Sequence, residues 1–415
     1  MMFMGRVCAG VLFALLALPI GPGTAWAVQA VPEWAQADGR ADCLPGLPEK
    51  IGQMILVGFP GDTPRHAGFR RVREQLRSGE IGGVLYLGRN LRNRATVRRM
   101  NAGLVSVAPA RLPPLIAIDQ EGGVVQRLKR RHGFPQTVSA KRMARRKSAA
   151  EAATAYGALA EGLSDWGFTL NLGPVVDVDT NPRNPIIGRL ERSFSADPHQ
   201  VADYGAAFVE AHRQHGVLTA LKHFPGHGSS RRDSHRGAVD VSRTWTEKEL
   251  EPFRRLIADD KADLIMTAHV VNRALRPPGD AMPVSLSKPA LTEVLRDELG
   301  FAGVIMSDDL QMDAIRRSFS LEEAVLRAVG AGTDILVFAN DKRPDPDIPA
   351  KVAAILISEA RTDPVLAQKI DAAYGRIQAL KSRLIAEPLR ARVHPEGGPG
   401  ESVPDRQECA LAPAQ

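Results

Sequence analysis

The sequence predicts an α/β chain closed into a single (β/α)8 TIM-type barrel. Three observations carry that expectation. Eight short apolar runs alternate with longer amphipathic stretches over roughly 300 residues. The runs are almost continuous in Val, Ile and Leu, as strands covered on both faces are. No Gly-x-Gly-x-x-Gly turn follows the first run, which disfavours an open doubly wound sheet.

In chain order the runs are IGQMILVGF (51–59), IGGVLYLG (81–88), PPLIAID (113–119) and FTLNLGPVVDV (168–178). LTALKHF (218–224), DLIMTAHVV (263–271), GVIMSDD (303–309) and DILVFAN (334–340) follow. Helical patterns fill the intervals, clearest at 149–167, 199–216 and 287–300, each ending at a glycine suited to stopping a helix. The barrel is expected to span 45–386, after a segment at 28–44 and before a flexible Pro- and Gly-rich tail at 387–415.

The chain ends carry separate signals. Arg6, an apolar run and Ala25-Trp26-Ala27 predict a secretory signal peptide over 1–27, with an uncleaved anchor as the other reading. No lipobox surrounds Cys8, and no other stretch approaches ~18 apolar residues, so no stable membrane insertion is expected after cleavage. The mature protein is expected in the periplasm or outside the cell. Loss of Arg6, the one charge in the leader, lowers the formal charge from +7 to +6. Cys43 and Cys409 then remain, either as a disulfide or as two free thiols.

The 44% hydrophobic and 24% charged composition is that of a globular protein, and 5% aromatics disfavour a base-stacking surface, so no nucleic-acid partner is expected. One run stands apart. RLKRRHGFPQTVSAKRMARRK (127–147) holds nine Lys or Arg and no acid. It reads either as a solvated loop and helix start or as a surface for an anionic polymer or membrane.

Polar residues gather where the runs end: Asp119, Asp177, Lys222 with His223, His269, and Asp308 with Asp309. Active sites of barrels form at that C-terminal rim, which favours an enzyme over a binding scaffold. The stretch KHFPGHGSSRRDSH (222–235) raises a metal reading, but Pro225 and Gly226 exclude a helix between His223 and His227, and no Cys or acidic cluster joins them. No metal and no cofactor are expected. Adjacent aspartates on a strand point to opposite faces, so one of Asp308 and Asp309 is expected to face the centre. Asp233, two residues before His235, can orient an imidazole as a general acid/base, or make an incidental loop contact.

Four motifs, IAIDQEGGVVQR (116–127), ERSFS (191–195), KHFPGHGSSRRDSH (222–235) and VIMSDDLQM (304–312), together resemble glycoside hydrolase family 3. The likeness is to its single-domain bacterial β-N-acetylglucosaminidases of the NagZ type and covers roughly residues 45 to 385. It implies Asp308 as the nucleophile of a retaining exo-β-N-acetylglucosaminidase, His235 as general acid/base and Asp233 as its orienting acid. Asp119, Arg127, Arg192, Lys222 and His223 are implied to hold the terminal N-acetylglucosamine, and His227 to serve the loop. A monomer acting on an N-acetylglucosamine-containing glycan or muropeptide is expected. Gly226 to Arg232 is expected to form a flexible loop carrying the Asp–His pair over bound sugar. Arg189 and Leu190 widen the segment before Arg192, which bears on the reach of that arginine. A family 3 β-glucosidase or β-xylosidase, or a non-catalytic wall-glycan binder, are the competing readings.

Overall fold

The computed structural model describes residues 45–275, 281–342 and 344–385. The leader, the 28–44 segment, both cysteines of the mature chain and the 387–415 tail lie outside them.

Eight parallel strands close a barrel: β1 (Ile55–Gly58), β2 (Gly83–Tyr86), β3 (Leu115–Ile118), β4 (Leu170–Asn171), β5 (Leu218–Phe224), β6 (Leu264–Thr267), β7 (Val304–Asp309) and β8 (Ile335–Phe338). Each pairs with its sequence neighbours, and β8 returns to β1 with Ile55 opposite Leu336 and Val57 opposite Phe338. The apolar runs form strands because both faces are covered: side chains fill the barrel inside and helices pack outside. Every strand residue is buried except the last two of β7, Asp308 and Asp309, which are half-buried.

All eight predicted runs contain a barrel strand, with three differences in extent. The first run opens as the end of a helix, Leu47–Gln53, and becomes strand at Ile55. In the fourth run regular pairing is confined to Leu170–Asn171, and Pro174 offers no amide to the ladder. The sixth run breaks after Thr267, and Val270–Val271 pairs instead with Val239–Asp240, tying the loop after β5 to the end of β6.

The helices start and stop where the sequence signals them. Ala149–Asp165 opens on a Ser148–Glu151 capping box, and Gly167 beyond it adopts φ 83°. The 287–300 pattern forms Pro289–Glu298, wound as a π-helix in which the Leu299 amide reaches Val294 O. Its buried Ala290, Leu291, Val294 and Leu295 face the barrel in either winding, so the apolar spacing alone does not separate the two forms. At the N-terminal end of the barrel Asp263 accepts from Thr219 and pairs with Arg213 and Arg383, while Asp334 pairs with Arg296 and Arg376. That end is held by ion pairs; the other carries the site.

Candidate active site

The chain leaves β3 through Asp119 into a hairpin of Gln120–Gly122 against Val125–Gln126. The Gln120 side chain locks it: Oε1 accepts the Arg127 and Leu128 amides at 2.9 and 3.0 Å. Arg127 is thereby folded back over Asp119 and donates to Oδ2 at 3.0 Å, while Lys222 Nζ, from β5, donates to Oδ1 at 2.9 Å. Lys222 also lies 2.7 Å from Glu121 Oε1. Glu121 in turn takes both arms of Arg192, at 2.8 and 2.7 Å, in a fork-to-fork pair. Burial alone would raise both carboxyls, but Lys222 and Arg127 hold Asp119 well below the usual range, and Arg192 and Lys222 bring Glu121 down to about 2. The result is three cations on two ionised acids, a fixed grid of donors.

Arg192 thus reaches the site despite the widened segment before it. Arg189 lies exposed and Leu190 turns into the cavity, while the Arg192 amide donates to Ile187 O.

Asp177 is fully buried and accepts three donors from one stretch: the His223 amide at 3.1 Å, His223 Nδ1 at 2.7 Å and the His227 amide at 2.7 Å. Burial would raise its carboxyl, and the His223 imidazole reverses this, leaving it at about 2. With Nδ1 donating to Asp177, the His223 ring presents Nε2 to the cavity. His227 takes no part there. Its ring sits between the Ser230 and Ser234 hydroxyls at 2.7 and 3.1 Å, and burial lowers it to about 4, so it is neutral.

The loop after β5 departs from the expected flexible glycine stretch. Every residue from Gly226 to Ser230 is buried. Asn184 Nδ2 donates to the His227 and Gly228 carbonyls, and Asn181 Nδ2 to Ser230 O. Glu249 Oε2, from below, accepts the Gly228 and Ser229 amides at 2.9 and 3.3 Å. Gly228 is required for contact, since a Cβ there would fall 1.7 Å from Val178 O. Only beyond Ser230 does the loop turn outward, through exposed Arg231 and Arg232 to a 3-10 turn at Ser234–Arg236. On it His235 Nδ1 lies 2.8 Å from Asp233 Oδ1, with the His235 side chain 58% exposed. Burial would raise Asp233, but hydrogen bonds from His235 lower it, so it is an ionised partner for the ring.

Asp308 ends β7 where the ladder to β8 slips: Met306 faces Ile335 and Asp309 faces Val337, three residues against two. Such a bulge re-aims side chains. Strict alternation therefore fails, and both aspartates line the cavity. They differ in state. Burial would raise Asp308, but the imidazoles of His269, His223 and His235 lower it below its ordinary value. Asp309, whose Oδ1 accepts the Gln311 and Ala339 amides, is pushed up to about 6 by burial. His269 donates from Nε2 to Asp309 O at 3.0 Å and sets Nδ1 2.7 Å from the Ser285 hydroxyl, and burial lowers its imidazole below the ordinary value.

Asp119, Arg127, Arg192, Lys222, His223, Asp233, His235 and Asp308 all line one cavity of about 820 Å³ at the C-terminal mouth of the barrel. Glu121, Asp177 and Glu249 had no role assigned from sequence. Glu121 stands two residues after Asp119 in an extended segment, a spacing that puts both on one side, and this signal was present in IAIDQEGG. Glu249 had none, because it comes from a 3-10 turn (Glu247–Glu249) remote from every motif. Among the described residues no group of three or more His, Cys, Asp or Glu side chains is placed to hold a metal ion.

The glycosyl hydrolase family 3 N-terminal domain matches residues 46–380. The chain belongs to glycoside hydrolase family 3. Its relatives include a beta-hexosaminidase of Tolumonas auensis, 39% identical over 65% of this chain and 79% of that protein. Beta-hexosaminidase A of Pseudoalteromonas piscicida is 32% identical over 81% of this chain but only 61% of its own length. Among solved structures, the family 3 β-N-acetylglucosaminidase of Paenibacillus sp. str. FPU-7 superposes with a TM-score of 0.75 at 32% identity, over 86% of this chain and 65% of that one. The β-N-acetylhexosaminidase of Beutenbergia cavernae is matched over its whole length, with a TM-score of 0.73 and 29% identity over 82% of this chain. The chain thus spans a little under two thirds of the two longer relatives.

Proposed function

We propose that this family 3 glycoside hydrolase is a retaining exo-β-N-acetylglucosaminidase that removes terminal β-linked N-acetylglucosamine from peptidoglycan fragments. The observation that carries the reading is one juxtaposition. An ionised aspartate at the end of β7 and an Asp–His pair on the loop after β5 line the same cavity from different elements.

Asp308 attacks C1 of the sugar while His235 gives its proton to the departing oxygen, so the aglycone leaves as an alcohol and a glycosyl ester forms. Neutral His235 then takes a proton from water, whose oxygen attacks C1 and frees the Asp308 carboxylate with net retention. Asp233 stabilises the imidazolium and fixes its tautomer. The Asp119, Arg127, Lys222, Arg192 and His223 side chains supply hydrogen bonds to the sugar hydroxyls and acetamido group, with Glu121 holding Arg192 and Lys222 in place. Glutamate and aspartate here accept, while Arg and Lys donate without accepting.

The reading extends to the arrangement of the chain: a leader at 1–27 directs a monomeric 45–386 barrel to the periplasm or beyond, flanked by the 28–44 segment and the 387–415 tail. No described helix is long and apolar enough to cross a membrane. The test compares turnover of 4-nitrophenyl β-N-acetylglucosaminide with the β-glucoside and follows the product anomer by NMR. Faster turnover of the glucoside, or release of the α-anomer first, would overturn the proposal.

A further inference from the structure

The basic run takes no part in the chemistry beyond Arg127. In the fold it forms a lobe beside the cavity mouth, made of the tip of the hairpin, the 3-10 turn Arg130–His132 and the helix Ala140–Arg146. The hairpin tip is stitched to the following segment by the Gly123 amide donating to Thr137 O at 2.9 Å. Val124 and Val138 therefore lie on adjoining strands of backbone, 63% and 38% exposed. They are two of the three large hydrophobic side chains exposed among the described residues.

The cations around them divide by partner. Arg127 binds Asp119, Lys141 binds Asp179 and Arg142 approaches Glu191. Lys129, Arg130, Arg145 and Arg146 are exposed and have no carboxylate ion-pair partner among the described residues, and Lys147 is exposed near the Glu151 carboxylate. The run itself supplies no acid to neutralise them. Unpaired cations interspersed with projecting apolar side chains are the chemistry of attachment to an anionic lipid interface: charge draws the surface to the headgroups, and the apolar groups enter the acyl boundary. A nucleic-acid surface would call for aromatic faces on which bases stack. The one aromatic residue of the lobe, Phe134, is 1% exposed and packs edge-on against Trp166.

We infer that residues 123–147 form a peripheral docking surface for a bilayer rich in anionic phospholipid. The hairpin that carries Val124 at its tip carries Val125 and Arg127 into the cavity lining, so docking sets the mouth of the site close to the membrane plane. Substrate held at that surface is then sampled without a long diffusive search. The inference stands apart from the catalytic reading, because it uses neither Asp308 nor His235.

The experiment is co-sedimentation of the full chain with phosphatidylcholine vesicles, with and without one third phosphatidylglycerol, at low and at 0.5 M salt (a screening length of about 4 Å at the upper end). Stronger partition onto the phosphatidylglycerol vesicles at low salt is expected. Arg130→Ser, Arg145→Ser and Arg146→Ser together should lower that partition on the order of a hundredfold, about fivefold for each cation. Turnover of a soluble aryl glycoside should not change. Val124→Ser should lower the salt-resistant part by roughly fourfold for its lost apolar group. Any contribution of the apolar N-terminus falls on both vesicle types and is shared by all variants. Equal partition onto the two vesicle types would overturn the inference, as would undiminished binding by the triple variant. Binding to duplex DNA that the triple variant loses, without anionic-vesicle binding, would assign the lobe to nucleic acid instead.

Discussion

Asp233 Oδ1 accepts twice from His235, from the backbone amide at 2.9 Å and from ring Nδ1 at 2.8 Å. The carboxylate therefore fixes the position of the main chain and the tautomer of the ring with one atom, leaving Nε2 free on the cavity side. With Nδ1 held by Asp233, a proton passed from this ring into the cavity would have to leave from Nε2, so the pair would act as one unit.

His235→Ala is expected to lower kcat on alkyl or oligosaccharide aglycones by about 10²- to 10⁴-fold, the usual worth of a positioned acid. A 2,4-dinitrophenyl aglycone leaves without a proton, so its glycosylation step should be nearly unaffected. Asp233→Asn should act in the same direction with a smaller loss. Similar losses on both kinds of leaving group would exclude His235 as the proton donor.

Asp308 is the expected site of covalent attachment. The three imidazoles around it favour the ionised form that attack requires, whereas Asp309 is held by two amides and pushed up to about 6. A 2-deoxy-2-fluoro or 5-fluoro glycosyl donor should slow hydrolysis of the intermediate and leave its label on Asp308, read by peptide mass mapping. Asp308→Ala should remove turnover while calorimetry still detects N-acetylglucosamine. Label on Asp309 would move the nucleophile by one residue.

The barrel was legible because its signal is repeated eight times and each strand is apolar on both faces. Asp308, Asp119 and Lys222 were legible for a related reason, since each is a charge that ends such a run. What the sequence hid lies in contacts between distant segments. Glu121 could be seen, but not that it grips Arg192, 71 residues away, because nothing local in either motif encodes the meeting. The glycines of GHGSS suggested a mobile loop. They serve close packing instead, with Val178 O against Gly228 and Glu249 beneath. Glycine permits both mobility and close approach, and only the neighbours decide between them.

Glu249 is expected to position the loop that carries His235. Its Oε2 is the acceptor for the buried Gly228 and Ser229 amides, and removing it leaves both without that partner, at a cost of about 1–3 kcal/mol each. Glu249→Ala should lower both thermal stability and kcat, with the larger rate loss on poor leaving groups, whereas Glu249→Gln keeps an acceptor oxygen and most of the activity. Burial pushes the Glu249 carboxyl up from its ordinary 4.5 to about 7. The folded chain thus holds a proton that the unfolded chain releases between those values. Relative to Glu249→Gln, the wild type should be most stable below about pH 4.5 and lose that advantage as pH rises through about 7. If the Gln and Ala variants behave alike, the acceptor oxygen is not what holds the loop.

Lys381 gives a pH dependence of the opposite sign at the far end of the barrel. It is fully buried, and its Nζ donates at 2.7 Å to Gln53 Oε1 and to Gly82 O, with no carboxylate beside it among the described residues. Burial lowers its ammonium from an ordinary 10.5 to about 7. Between those values the unfolded chain binds a proton that the folded chain lacks, so stability rises with pH across the window. Below about pH 7 both states are charged, and the folded chain bears the whole cost of the buried ammonium, on the order of 3–5 kcal/mol. Lys381→Met removes that cost and also strands two acceptors. The variant should therefore gain on the wild type most at pH 6, less at pH 8.5, and fall below it near pH 10.5, where only the lost hydrogen bonds count. Urea midpoints of both proteins at those three values check this; a difference that stays constant with pH would mean that Lys381 keeps its proton throughout.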